Sequence, residues 1–223
     1  QGRGLNGWRR RLHGEVERID KAFSATAPLS NSLPRLPLAA AVMDKVFGLA
    51  PERSLPAFRR DTLERWHRDR RAPGTATRDR PRLVYYFGCF ANFNNPEVGQ
   101  AAVKLLEALG YDVTLPEWRC CGIPLYAKGE IAAARRMVEF NVATLSAHVD
   151  AGHEIVTSCP SCQLALARDY PRLFPSPAGQ RVAGHTHFLS RFLLERGGLD
   201  GRLAPIQQRA AYHLPCHLEL AMH

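Results

Sequence analysis

The positions of the cysteines constrain this chain more than any other feature. Of its six cysteines, five are Cys89, Cys120, Cys121, Cys159 and Cys162, and the sixth is Cys216. Each group follows a short apolar run: RLVYYF before Cys89, YDVTL before Cys120 and Cys121, HEIVTS before Cys159, and RAAYHL before Cys216. Helical patterns separate the runs. One spans Pro96 to Leu109 and is closed by Gly110. A second, from about Ile131 to His148, carries Ile131, Ala134, Val138, Val142 and Leu145, and a third opens at Pro160. RVAGHT reads as a further strand. Alternation of this kind predicts an α/β fold, an open and mostly parallel sheet with flanking helices and right-handed crossovers. The cysteines then fall at the carboxyl ends of strands, along the edge where such sheets bind ligands, and should converge in space.

The residues before this region read differently. From Trp8 to Arg70 the pattern is helical, and Trp8, Leu12, Val16, Ile19 and Phe23 form one apolar stripe. A second helix is expected over Leu38 to Gly48, and a third opening at Pro56 and carrying Phe58, Leu63 and Trp66. The stretch RRAPGTATRDRP has no apolar period and marks a boundary. The expected organisation is a helical segment at 1–70, a linker at 71–81, a cysteine-rich α/β domain at 82–208, and a further domain beginning at 209–223. Gln1 at one end and a helical pattern cut short at the other predict an internal piece of a longer protein.

Composition narrows the function classes. With 223 residues and 45% hydrophobic content the chain can bury one large core. No stretch approaches the roughly 20 uninterrupted apolar residues of a membrane span, since Asp44 and Lys45 break the longest segment, Leu36 to Leu49. That helix suits burial against another subunit, or else shallow insertion at a membrane surface. The net charge of +9 lies mostly in arginines alternating with acids, and no basic stripe carries interleaved aromatics, so no nucleic-acid partner is expected. Gly-rich phosphate loops, a G-x-S-x-G elbow and carboxylates paired for acid–base work are missing from the sequence.

Three fates compete for converging thiols. Disulfides suit secreted domains, and five is an odd number. Zinc normally takes four ligands. Adjacent cysteines such as Cys120 and Cys121 are expected to point apart, which suits a multi-iron cluster offering a separate iron to each. Cys159 precedes Pro160 at a helix start and Cys162 lies in the first turn, where backbone amides favour thiolate. His213 and His217 flank Cys216 as candidate donors to sulfur, with capping or surface roles as the simpler reading. Gly88 and Gly122 adjoin candidate ligands, and Pro124 and Tyr126 are placed to shield them, turn formation and core packing being the defaults.

The motif Cys89, then Cys120-Cys121-Gly122, then Cys159-Pro160-Ser161-Cys162 resembles the cysteine-rich CCG domain. That domain occurs in the B subunit of heterodisulfide reductase, in the iron–sulfur subunits of glycolate- and lactate-oxidising systems, and in the C subunit of anaerobic glycerol-3-phosphate dehydrogenase. The likeness is strongest to the last. It runs from Val84 to His223 through YYFGCFANFNNPEVGQAAVKLLEALGYDV, RCCGIPLYAKGE and YHLPCHLELAMH. In the family two such motifs follow each other, and HLPCHLE around Cys216 is similar to the start of the second. Ferredoxin-type C-x-x-C-x-x-C-x-x-x-C runs, which the family also carries, are absent from this sequence.

The resemblance implies an iron–sulfur cluster, [4Fe–4S] in cubane or non-cubane form, held by Cys89, Cys120, Cys121, Cys159 and Cys162, with Cys216 as a further metal ligand. It implies a non-catalytic member of an anaerobic respiratory oxidoreductase, passing electrons from a flavoprotein dehydrogenase subunit to membrane quinone or a membrane anchor subunit. The expected location is the cytoplasm, peripheral on the inner face of the membrane. Two rivals are a reductase that acts on a disulfide at its cluster, as the likeness to heterodisulfide reductase allows, and a zinc-stabilised interaction module.

Overall fold

In a computed structural model, residues 5–33, 36–50, 52, 55–70, 80–196, 199, 201–205 and 207–222 are described. Four apolar runs become strands: β1 (Arg82–Tyr85), β2 (Asp112–Thr114), β3 (Glu154–Thr157) and β4 (Thr186–Phe188). All pair in parallel, in the order β2-β1-β3-β4. Leu83 lies opposite Val113, Val84 opposite Ile155, and Val156 opposite His187. Consecutive residues of the two central strands, Leu83, Val84 and Tyr85 on one and Ile155 and Val156 on the other, are buried. Such unbroken apolar runs are what a sheet covered on both faces requires. The sheet is the expected α/β architecture.

The helical segment comprises α1 (Leu5–Gly14), α2 (Val16–Ala25), α3 (Leu29–Ser32), α4 (Pro37–Val42) with a π-helical turn at Met43–Phe47, and α5 (Leu63–Arg70). α6 (Gly88–Phe93) and α7 (Pro96–Ala108) connect β1 to β2. α8 (Ile123–Tyr126) and α9 (Ile131–Asp150) connect β2 to β3. Between β3 and β4 run α10 (Pro160–Leu164), a second π-helical turn at Ala165–Asp169, α11 (Tyr170–Leu173) and α12 (Pro177–Gly184). α13 (Leu189–Arg196) and α14 (Cys216–Met222) complete the described elements. On α9, Ala134, Val138, Val142, Leu145 and Val149 form the buried stripe, joined by a single polar residue, Asn141.

Several expectations change. RVAGHT is not a strand: Ser176 accepts the Gly179 amide at 3.0 Å as an N-cap and Pro177 occupies the first turn, so a helix runs to Gly184 and β4 starts only at Thr186. RAAYHL forms no strand and has no regular conformation, with Tyr212 and Leu214 exposed, because a strand needs a neighbour to supply its ladder. Cys216 therefore follows no strand and opens α14 instead. The third helix starts at Leu63 rather than Pro56. The residues between take no regular conformation and are held by side chains, Asn31 accepting the Phe58 amide at 2.8 Å and donating to the Phe58 carbonyl at 2.9 Å, while Thr62 accepts the Arg65 amide at 3.3 Å.

The expected stripe on the first helix is also divided. Glu15 breaks it into α1 and α2, and Trp8 and Phe23 pack within the helical segment itself, on Phe47 and Phe58 with ring centroids 5.8 and 5.1 Å apart. On α2 the buried residues are Asp20 and Ser24. The 71–79 part of the expected linker lies outside the described residues. Leu36, Leu38, Val42 and Val46 are exposed around α4, and among the described residues no helix is long and apolar enough to cross a membrane.

Candidate metal centre

The strand order places a topological switch between β1 and β3: the chain leaves β1 towards β2 on one side and returns to β3 on the other. The carboxyl ends at such a switch flank a crevice, the usual ligand position in open α/β sheets. Cys89 stands just past β1 in the first turn of α6. Cys159 stands just past β3, and Cys162 is in α10. Cys120 and Cys121 arrive on the irregular loop that follows β2. All are free thiols.

Five sulfurs form a continuous string. Side-chain contacts run from Cys89 to Cys120, from Cys120 to Cys121, from Cys121 to Cys162 and from Cys162 to Cys159. Cys120 and Cys121 thus meet, contrary to the expectation that they point apart. That rule belongs to an extended strand, and this loop has no regular conformation. The Cys120 thiol is held well below its ordinary range because Cys121 and Cys89 donate to its sulfur. Cys159 is pulled down to about 6 by the Cys162 thiol and, beyond the cost of its burial, by the backbone amides of Cys162 and Ser161. The donors go the other way. Cys89 and Cys121 are pushed well above their usual range by hydrogen bonding to the Cys120 sulfur, and Cys162 by the neighbouring Cys121 sulfur first and Cys159 second. Among the described residues, no three Cys, His, Asp or Glu side chains close on a single metal ion.

Close approach of backbone to sulfur has a visible cause. Gly88 has φ of +71°, and a Cβ placed on it would lie 2.8 Å from the Cys162 sulfur. Only a glycine lets the turn after β1 lie against that thiol.

The loop carrying Cys120 and Cys121 is fixed by buried polar groups. Asn141, fully buried on α9, accepts the Arg119 amide at 2.8 Å, and its Nδ2 lies 3.1 Å from the Arg119 carbonyl and 3.2 Å from that of Cys120. The Tyr86 hydroxyl donates to the Arg119 carbonyl at 2.6 Å, and the Tyr170 hydroxyl to the Cys121 carbonyl at 3.1 Å. From the helical segment, Glu17 accepts the Cys120 amide at 2.6 Å. Beside it Asp20 is buried, its carboxyl pushed up to about 7 by burial and then by the negative charge of Cys120. None of Glu17, Asp20, Tyr86, Asn141 and Tyr170 stood out in the sequence. The available signals were a lone asparagine on the apolar stripe of α9 and acids three apart on α2.

Cys216 stands apart from the string and is exposed. Its neighbour His217 reaches the region through Ser161, whose hydroxyl lies 2.7 Å from Nδ1. His213 is exposed. Tyr126 bonds to the Asp169 carboxylate near the end of the second π-helical turn, while Cys120, Cys121 and Cys162 are all buried.

A parallel α/β sheet that delivers five free thiols in sequence to its switch point defines a cysteine-site α/β protein. Residues 83–167 match the family model of CCG, the cysteine-rich domain. Over 197 residues, 86% of its length, the chain is 29% identical to the C subunit of anaerobic glycerol-3-phosphate dehydrogenase from Escherichia coli K12, and the match takes in 49% of that protein. It is 31% identical over 61% of its length to the B subunit of fumarate reductase (CoM/CoB) from Methanothermobacter marburgensis, covering 26% of that protein. It is 33% identical over 62% of its length to lactate utilization protein A of an Exiguobacterium strain, covering 58% of that protein. The chain spans about half the length of the first of these relatives. No solved structure matches it significantly.

Proposed function

We propose that the chain is the cysteine-rich part of an electron-transfer subunit, holding an iron–sulfur cluster on Cys89, Cys120, Cys121, Cys159 and Cys162. The observation that carries this reading is the string of five sulfurs at the β1/β3 switch. A string of thiols, two of them favoured as thiolate, fits a multi-iron group better than the tetrahedral shell of one zinc ion. When bound, such a group takes up and gives up single electrons. The residues around it hold and shield it: Gly88 lets the backbone lie against Cys162, and Asn141, Tyr86 and Tyr170 fix the loop of Cys120 and Cys121. Nothing among these residues abstracts hydride from an alcohol, so fuel oxidation belongs to a flavoprotein dehydrogenase subunit and the electrons pass on towards membrane quinone.

The proposal includes the type of cluster, [4Fe–4S] in cubane or non-cubane form, the extent of the cysteine-rich domain at 82–208, and the start of a second one at 209–223 that brings Cys216 as a further ligand. It also includes a cytoplasmic place against the inner face of the membrane. Support comes from the names of the relatives, subunits of a dehydrogenase and a reductase and a lactate-utilisation protein.

The test is metal and sulfide analysis of anaerobically prepared protein, followed by stopped-flow spectroscopy. Iron, acid-labile sulfide and absorption bleached by dithionite are expected, and Cys120→Ser or Cys159→Ser should lower bound iron. Stoichiometric zinc without iron would overturn the reading. Fuel should bleach the protein only when the flavoprotein is present. Oxidation of the reduced protein by a disulfide substrate with catalytic turnover, and without a partner, would favour the reductase instead.

A further inference from the structure

Two acids three apart on α2, Glu17 and Asp20, lie against the cysteine loop, while Ser24 four residues on bonds to the Arg59 carbonyl of the helical segment. Glu17 is the residue that crosses. Its Oε2 accepts the Cys120 amide at 2.6 Å and its Oε1 accepts from Arg119 at 3.3 Å. Its side chain keeps 12% exposure, whereas that of Arg119 keeps 47%. The carboxylate is therefore held against the cysteine loop, while its counter-charge is largely in solvent, where water screens it. A cleft of about 420 Å³ on this flank is lined by Glu17, Lys21, Arg60, Arg65, Trp118 and Arg119, and lies outside the thiol string.

An amide next to a thiolate ligand ordinarily donates to sulfur, and such bonds make an iron–sulfur group easier to reduce. Here the Cys120 amide is taken by Glu17, and a negative charge is added close by in surroundings of reduced dielectric. Both effects disfavour the arrival of an electron. We propose that Glu17 is a positioning residue of the cysteine site, supplied by the helical segment, which fixes the loop through the Cys120 amide and lowers the reduction potential of the group bound there. The second half of this inference rests on the iron–sulfur reading above.

The experiment compares four variants with the wild type. Glu17→Gln keeps an oxygen for the amide and loses the charge, so it should retain iron while its midpoint potential in an anaerobic redox titration moves upward. Arg119→Gln removes the opposing charge and should move the potential downward. Glu195→Gln is a charge control on α13, where Glu195 is exposed and paired with Arg191 at 2.7 Å, and it should move neither potential nor iron content. Glu17→Ala removes the acceptor. In metal-free protein, hydrogen exchange of the Cys120 amide should then rise about tenfold, the factor that corresponds to one lost hydrogen bond of typical strength.

A Glu17→Gln shift no larger than that of Glu195→Gln overturns the effect on potential. Unchanged exchange in Glu17→Ala overturns the positioning. Wild-type protein that binds no iron overturns the function proposed above and the potential half with it, while the exchange measurement still decides whether Glu17 holds the loop.

Discussion

Two cysteine-bearing stretches of this chain look alike as sequence and differ as structure. RCCG at 119–122 and HLPCHLE at 213–219 each follow an apolar run and set cysteine beside turn-forming residues. The first is locked by four side chains from separate parts of the fold: Asn141 on α9, Tyr86 just past β1, Tyr170 on α11 and Glu17 on α2, with Asn141 serving three backbone groups. The second is held by the Ser161–His217 bond, by an Arg168 guanidinium donating to the Leu220 carbonyl at 2.6 Å, and by the buried Leu218, and leaves Cys216 in solvent. What separates a site from a bare cysteine is a set of distant polar groups that satisfy the loop's backbone after burial.

The sharpest way to break the comparison is to remove the central partner. Asn141→Leu keeps the volume and strands the Arg119 amide and the Cys120 carbonyl, so unfolding free energy in denaturant should fall by about 3 kcal/mol or more. A loss below about 1 kcal/mol would mean that the loop is held by its cysteines alone.

Next in size is the approach of Gly88 to Cys162. Gly88→Ala adds a steric conflict with sulfur to a left-handed backbone, whereas Gly152→Ala, at φ of +82° with open space around it, brings only the backbone cost. The second should cost about 1 kcal/mol and the first about 2 kcal/mol more, read from paired melts of the two proteins. Equal losses would show that the sulfur moves aside freely. Smaller again is His217→Ala, which removes one half-buried hydrogen bond and should cost about 1 kcal/mol. Smallest is Cys216→Ser, which should leave the melting temperature of this chain unchanged. A large fall there would place Cys216 with the locked cysteines after all.

The comparison also explains what could be read in advance. β1 and β3 were legible because Leu83 to Phe87 and Ile155 to Thr157 are continuous apolar or β-branched runs, which a sheet buried on both faces demands. The five cysteines were legible because each stands within a few residues of a strand end or helix start. RVAGHT misled because a short apolar run carries no sign of its own conformation, and the decisive signal, Ser176-Pro177, lay upstream. The polar partners of the loop were beyond reach. Asn141 and Glu17 are 22 and 103 residues from the backbone groups they satisfy, and only the assembled tertiary structure brings them there. The apolar stripe of the first helix gave no pointer to the site for a related reason: Trp8 and Phe23 pack on Phe47 and Phe58 within the helical segment, and it is the acids Glu17 and Asp20 that meet the cysteine loop.

That 103-residue separation between Glu17 and the Cys120 amide bears on the order of events as the chain folds. The strands from β1 to β4 pair across 30, 71 and 31 residues, and closure over 103 residues meets a somewhat larger entropic barrier than any of these. The α/β domain should therefore be largely built before α2 settles on it. Until α2 docks, the flank of the Cys120 loop that Glu17 and Asp20 later cover stays open. For a chain that takes up the metal group proposed above, that is the stage with the widest path to the thiols, and docking would then favour retention over loading.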